Sequence, residues 1–193
     1  MTTAKNNKHT DVDRESLRLE YVFDKGINFR DRIIQVTGEI EDNSSFDWLD
    51  AALTEMERGS KKAITLKINS PGGSVYEALG MVGRLAASKC QIITEGYGQI
   101  MSAATLLLAC GDKRRISKYA FFMHHEASYY VEGRHDTVAS TVSQMEREER
   151  LWSRWMEEFS TQPAEFWYSK GKQRDFYLTA EECQIYGVVD EII

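Results

Sequence analysis

Three short segments carry the residues able to do chemistry. The first is INSPGGS, Ile68–Ser74, which sets Pro-Gly-Gly between an apolar run and the start of a helical pattern. Glycines in such a place let the backbone approach a ligand and turn its N–H groups outward at the positive end of a helix dipole. A phosphate cradle, an oxyanion hole and a plain βα turn all fit. The phosphate reading is the weakest, because neither GxGxxG nor GK[ST] is present. The second segment is GYGQIMSAATLLLACG, Gly96–Gly111, where an extended run and a glycine-containing turn lead to Ser102 and an apolar helix. Ser102 reads either as an N-cap or as a nucleophile beside backbone amides. Its surroundings are not the GxSxG elbow. The third segment is FFMHHE, with His124 and His125. Neighbouring side chains on a strand point to opposite faces, so this pair does not supply two ligands to one metal, and at most one of them enters a given site.

The order of these segments says more than any one of them. Two successive βα turns offer an oxyanion loop and then a serine, and the next strand offers a histidine. In a parallel sheet such strand ends converge on one side, where sites are built. A nucleophilic Ser102 would use such a layout, and the plain-turn and N-cap readings stay open beside it. The third member of a triad stays open at this level: Asp112, Asp136 and Asp175 are all available.

The elements that must position these residues follow from periodicity. Strands are expected at Ile33–Ile40, Ala63–Asn69, Gln91–Glu95 and Ala120–His125. Helices are expected at Ser45–Arg58, Ser74–Ser88 and Ser102–Cys110. Ser74 and Glu77 make a capping-box pattern. Strands separated by helices of this length imply parallel βαβ crossovers. A long amphipathic helix is expected at about Asp136–Phe159, with Val142, Met145, Trp152, Trp155, Met156 and Phe159 near one stripe; core face and oligomer contact both fit that stripe. Pro163 then breaks the chain before a short helix and the closing VVDEII. The fold class is α/β with a helical extension. Residues 1–16 are polar and expected to be flexible, and residues 17–193 are expected to form a single domain.

Composition narrows the function classes. The 193 residues are 42% hydrophobic and 28% charged, as in one ordinary globular domain. Lys and Arg number 24 against 30 Asp and Glu, a net charge of −6, which disfavours nucleic acid and anionic membranes as partners. Cys90, Cys110 and Cys183 form no CxxC pair, so neither a disulfide framework nor a zinc site is signalled. No apolar run approaches a membrane span, and the polar start lacks the apolar stretch of a secretory signal. A soluble, cytoplasmic protein is expected.

Taken together, the residues resemble the proteolytic subunit of the Clp protease (ClpP), a serine peptidase family on the crotonase-like ββα superhelix. Five stretches match in order: RDRIIQVTGEIED, LKINSPGGSVYEALGM, GQIMSAATLLLACG, FFMHHE and RDFYLTAEECQIYGVVDEII, spanning about Arg30 to Ile193. The resemblance places the nucleophile on Ser102, the general base on His125 and the orienting carboxylate on Asp175. It places the oxyanion-hole amides on Gly73 and Ala103. Arg174 resembles a family arginine that couples ring contact to triad alignment. Neither metal nor cofactor is implied. The family's usual His-Gln-Pro and glycine pair are replaced here by His125-Glu126-Ala127-Ser128-Tyr129-Tyr130, which implies a differently shaped pocket.

The resemblance further implies heptameric rings, usually two of them stacked through the long handle helix as a tetradecamer around a chamber. It implies unfolded proteins or peptides as substrates, with an AAA+ unfoldase as a possible partner. Three rivals remain at this level. They are a non-catalytic ring subunit, a phage capsid-maturation protease of the same family, and a crotonase-type acyl-CoA enzyme.

Overall fold

The computed structural model describes residues 24–193; the segment 1–16, expected to be flexible, lies outside them. In chain order the elements are β1 (Ile27–Asn28), β2 (Ile33–Ile40), α1 (Ser45–Gly59), β3 (Ile64–Gly73), α2 (Val75–Ala86), β4 (Ile92–Met101) and α3 (Ala104–Ala109). They continue with β5 (Lys113–Ile116), β6 (Phe121–His124), α4 (His135–Glu158), α5 (Ala164–Gln173), β7 (Phe176–Leu178), α6 (Ala180–Ile185) and β8 (Glu191–Ile192). The expected parallel crossovers are present: β2, β3, β4, β5 and β8 run parallel and in that order. Alternate residues of β3 (Ile64, Leu66, Ile68) point into a core shared with Leu49 and Leu53 of α1 and Met81 and Leu85 of α2. Period-2 strands packed against period-3.6 helices produce that layering.

Two strands run further than their sequence pattern suggests. β3 continues through Pro71 to Gly73, although Pro-Gly-Gly reads as a turn. Pairing with β2 carries it on, with Glu39 opposite Gly72 and Ile40 opposite Gly73 after a bulge between Thr37 and Glu39. β4 continues to Met101 because it changes partner. Its first half, Ile93–Gly96, pairs with β5, and its last three residues, Gln99–Met101, pair with β6. The register against β3 shifts between Ile68 and Ser70. Gly98 supplies the bend, with φ +59 and no room for a Cβ against Asn69 Oδ1 at 2.8 Å.

Cap chemistry also departs from the pattern. Ser74 Oγ accepts from Glu77 N at 3.5 Å. The Glu77 carboxylate, however, takes the amides of Asn43 and Phe46 at 3.1 and 2.7 Å. It anchors the start of α1 instead of closing a box on its own helix. The box with both bonds made is at Thr179 and Glu182, opening α6.

The long helix α4 divides into two environments. Met156 is fully buried, and Trp152, Trp155 and Phe159 pack against the core. Val142 is exposed, and the first four turns carry no buried residue. The apolar stripe therefore serves as core only in its C-terminal half. Among the described residues, no helix is long and apolar enough to cross a membrane.

Candidate active site

Ser102 occupies the junction between β4 and α3. Its φ is +52, in the left-handed region that non-glycine residues rarely adopt. Its N–H donates to Met123 O at 2.9 Å, and its carbonyl accepts from Thr105 N and Thr105 Oγ1. The residue is held by β6 on one side and by the first turn of α3 on the other. The helix N-cap is Ala103, not Ser102, so the capping alternative does not describe this serine.

Glycine 72 fits against that junction. A Cβ there would lie 2.6 Å from Met101 O, 2.7 Å from Ser102 Cβ and 2.8 Å from Ala103 N, at a φ of +97. The Gly72 amide donates to Ser70 Oγ at 3.1 Å. Gly73, at φ +139, has its Cβ position filled by the backbone of Ile40. The sequence pointed to Gly73; the packing makes Gly72 equally indispensable, which only the partner change of β4 reveals.

The two histidines separate as strand geometry demands. His124 is buried, and its Nε2 lies 3.0 Å from Trp167 O. A carbonyl only accepts, so Nε2 carries the proton. Burial, chiefly, pushes this imidazole's pKa down to about 4, which keeps it neutral. Gly171 makes room for the ring, since a Cβ there would sit 3.0 Å from His124 Nε2. His125 turns the other way, and its Nε2 is 2.8 Å from Ser102 Oγ.

The aspartates left open by sequence also sort themselves. Asp112 accepts from Ile92 N at 2.7 Å, and Asp136 pairs with Arg134 at the start of α4. Asp175 stands beside His125, because β6 and β7 pair antiparallel with His124 opposite Phe176. Asp175 Oδ1 is 3.6 Å from His125 Nδ1, and its side chain is 55% exposed. That separation is too long for a hydrogen bond. Arg174, also exposed, makes no ion pair or side-chain hydrogen bond among the described residues.

The Clp protease family model matches residues 20–193. The chain belongs to the Clp protease family. It is similar to the ATP-dependent Clp protease proteolytic subunit 1 of Corynebacterium jeikeium (strain K411), at 30% identity over 166 residues, 85% of this chain and 88% of the relative. The eight-stranded sheet with its six described helices is the ClpP fold, on which the family's peptidases are built.

A pocket opens beside Ser102 and His125. Trp152 of α4, Trp167 and Tyr168 of α5, and Tyr129 line it, together with Glu148 and Glu149. Tyr129 and Tyr130 stand out in the sequence as departures from the family pattern, whereas the glutamates carry no signal there. Tyr129 is indeed part of the pocket, whereas Tyr130 is 87% exposed. Burial pushes the Tyr129 phenol up to about 12, with Glu148 adding to the effect.

Proposed function

We propose that this chain is a serine endopeptidase subunit working through Ser102, His125 and Asp175. The observation that carries the reading is the 2.8 Å contact between Ser102 Oγ and His125 Nε2, at a serine held in left-handed backbone conformation. Ser102 Oγ attacks a peptide carbonyl and passes its proton to His125 Nε2. The amides of Gly73 and Ala103 hold the oxyanion of the tetrahedral adduct. Collapse breaks the C–N bond, and the leaving amine takes the proton from His125. Water, deprotonated by His125, then attacks the acyl ester and releases the carboxylate product, restoring the serine hydroxyl.

For His125 to accept at Nε2, its Nδ1 must carry a proton, and Asp175 is the group placed to accept it. The 3.6 Å gap and the exposure of Asp175 favour a triad that tightens on assembly into rings, with the neighbouring Arg174 as the coupling residue. We infer stacked heptamers joined through α4, whose N-terminal half is free of core contacts. Unfolded chains would be delivered by an AAA+ unfoldase, in keeping with the ATP dependence in the relative's name. We also read residues 17–193 as one domain, in the cytoplasm.

The test is hydrolysis of short fluorogenic peptides by the assembled protein. Ser102→Ala should lower kcat/KM by at least about 10³-fold, and Asp175→Asn by about 10³–10⁴-fold. Unchanged cleavage in Ser102→Ala would refute the reading.

A further inference from the structure

Ser102, His125 and Asp175 all hang on one short stretch of backbone. Ser102 is tied to β6 by its N–H, which donates to Met123 O at 2.9 Å. His125 directly follows β6, and Asp175 directly precedes β7, whose Phe176 pairs with His124. The position of residues 123–126 therefore governs the distances from His125 to both partners. Two bonds from α5 hold that stretch. His124 Nε2–H donates to Trp167 O at 3.0 Å, and Glu126 N–H donates to Gly171 O at 3.2 Å. The two acceptors stand about one turn apart along α5, and the two donors flank His125.

An imidazole at this position loses hydration that an aliphatic side chain would not need. The residue is 5% exposed, its ring meets that of Trp167 edge-on at 5.4 Å between centroids, and burial, above all, pushes its pKa down to about 4. An aliphatic side chain could fill the space, but it would not fix position along the interface. Apolar contacts are non-directional, whereas an N–H aimed at a carbonyl weakens steeply away from its preferred distance and angle. Gly171 belongs to the same arrangement. A Cβ there would lie 3.0 Å from His124 Nε2 and 3.4 Å from Glu126 N, so its absence lets both bonds form.

Resting on the peptidase reading above, we propose that His124 is a positioning residue for the Ser102–His125 pair. Its bond to Trp167 O, with that of Glu126 to Gly171 O, pins β6 to α5 on both sides of His125. The pin holds His125 Nε2 at 2.8 Å from Ser102 Oγ. Because α5 ends at Gln173, just before Asp175, the helix that holds the imidazole in place also leads into the carboxylate. His124 takes no part in proton transfer, since its ring turns away from that of His125. It acts through the backbone they share.

The experiment measures peptide hydrolysis and the rate of fluorophosphonate labelling at Ser102 in the assembled full-length protein, with kcat expressed per labelled site. His124→Leu fills the space without a donor, whereas His124→Gln keeps an N–H close to the place of Nε2. In His124→Leu, kcat and the labelling rate should both fall about tenfold or more, with KM within about twofold of wild type, because small displacements of a reacting group suffice for such losses. His124→Gln should keep both rates within about threefold of wild type, since the bond to Trp167 O is retained. A side chain that merely supports packing would change the number of labelled sites and not the rate at each. Wild-type rates per site in His124→Leu, or equal losses in the Leu and Gln variants, overturn the inference while leaving the peptidase reading intact. If His124→Leu does not assemble, Gly171→Ala carries the test. Its added Cβ, 3.0 Å from Nε2, crowds both bonds, so kcat per site should fall about tenfold, and a wild-type value overturns the inference. Absence of both cleavage and Ser102 labelling in the wild type overturns both readings.

Discussion

At the scale of single residues, the site depends on close backbone approaches as much as on polar side chains. Ser102 is displayed by a left-handed turn, and that turn has space only because residue 72 lacks a Cβ. Replacing Gly72 by Ala would bring a methyl within 2.8 Å of Met101 O, Ser102 Cβ and Ala103 N, none of which is the far end of a flexible side chain. Gly72→Ala should therefore lower kcat/KM by about 100-fold, since displacing a nucleophile by about 1 Å is enough for that loss. Strain should also cost about 1–3 kcal/mol of stability, and peptide kinetics beside urea unfolding measure the two effects. Ser102, His125 and Gly73 are candidates from the sequence, and Gly72 emerges only from the packing. Residue types and spacing alone do not rank Asp175 above Asp112 and Asp136, and only the family resemblance singles it out, because the pairing that brings Asp175 to His125 joins strands some fifty positions apart. The glutamates of the pocket escaped for a related reason. A charged residue on a helix reads as solvated until a neighbouring element, here α5, closes over it.

Elements with clean periodicity match the expectation from sequence. The strand Ile33–Ile40 has the bounds expected of it, and the helix at Ser45 ends one residue later than expected. The structure departs from the sequence pattern where tertiary pairing overrides local chemistry: Pro71-Gly72-Gly73 runs on as strand, and β4 extends past its bend to pair with β6. The short strand β5, rich in charge, gave no strand pattern. Its Arg115 instead bonds Glu95 and Glu191 across the neighbouring strands. The contact between β6 and α5 has a measurable consequence. His124 is pressed against Trp167, which is itself fully buried and donates its Nε1–H to Ser160 Oγ. The unfolded imidazole gains a proton near pH 6.5, whereas the folded one waits until about 4. The unfolded chain thus binds more protons between those values, and stability falls as pH drops through that window. Urea unfolding should show the wild type losing about 3 kcal/mol more than His124→Gln between pH 7 and pH 4. Glu149, whose pKa is raised on folding, acts in the opposite direction: its protonated form favours the fold, so its contribution weakens as pH rises from about 4.5 to 7. Comparison with the His124 variant isolates the histidine, and equal losses in the two proteins would contradict the account.

At the scale of the whole molecule, an acidic chain of 193 residues takes on a definite meaning once its sheet and long helix are seen together. The core ends near Trp152, and the first half of α4 carries no buried residue. That half of the helix is the surface on which the proposed contact between subunits would form. The gap between His125 and Asp175 belongs to this scale too, because an exposed carboxylate at the chain's surface is open to ordering by a neighbouring copy. The central claim, a Ser102 nucleophile activated within an assembled ring, is met most directly by native mass measurement of the particle before and after treatment with a fluorophosphonate, with the modified site located by peptide mapping. The account predicts a multi-subunit particle that gains one adduct per chain, all on Ser102. An intact particle that gains none, or carries the adduct elsewhere, would contradict it.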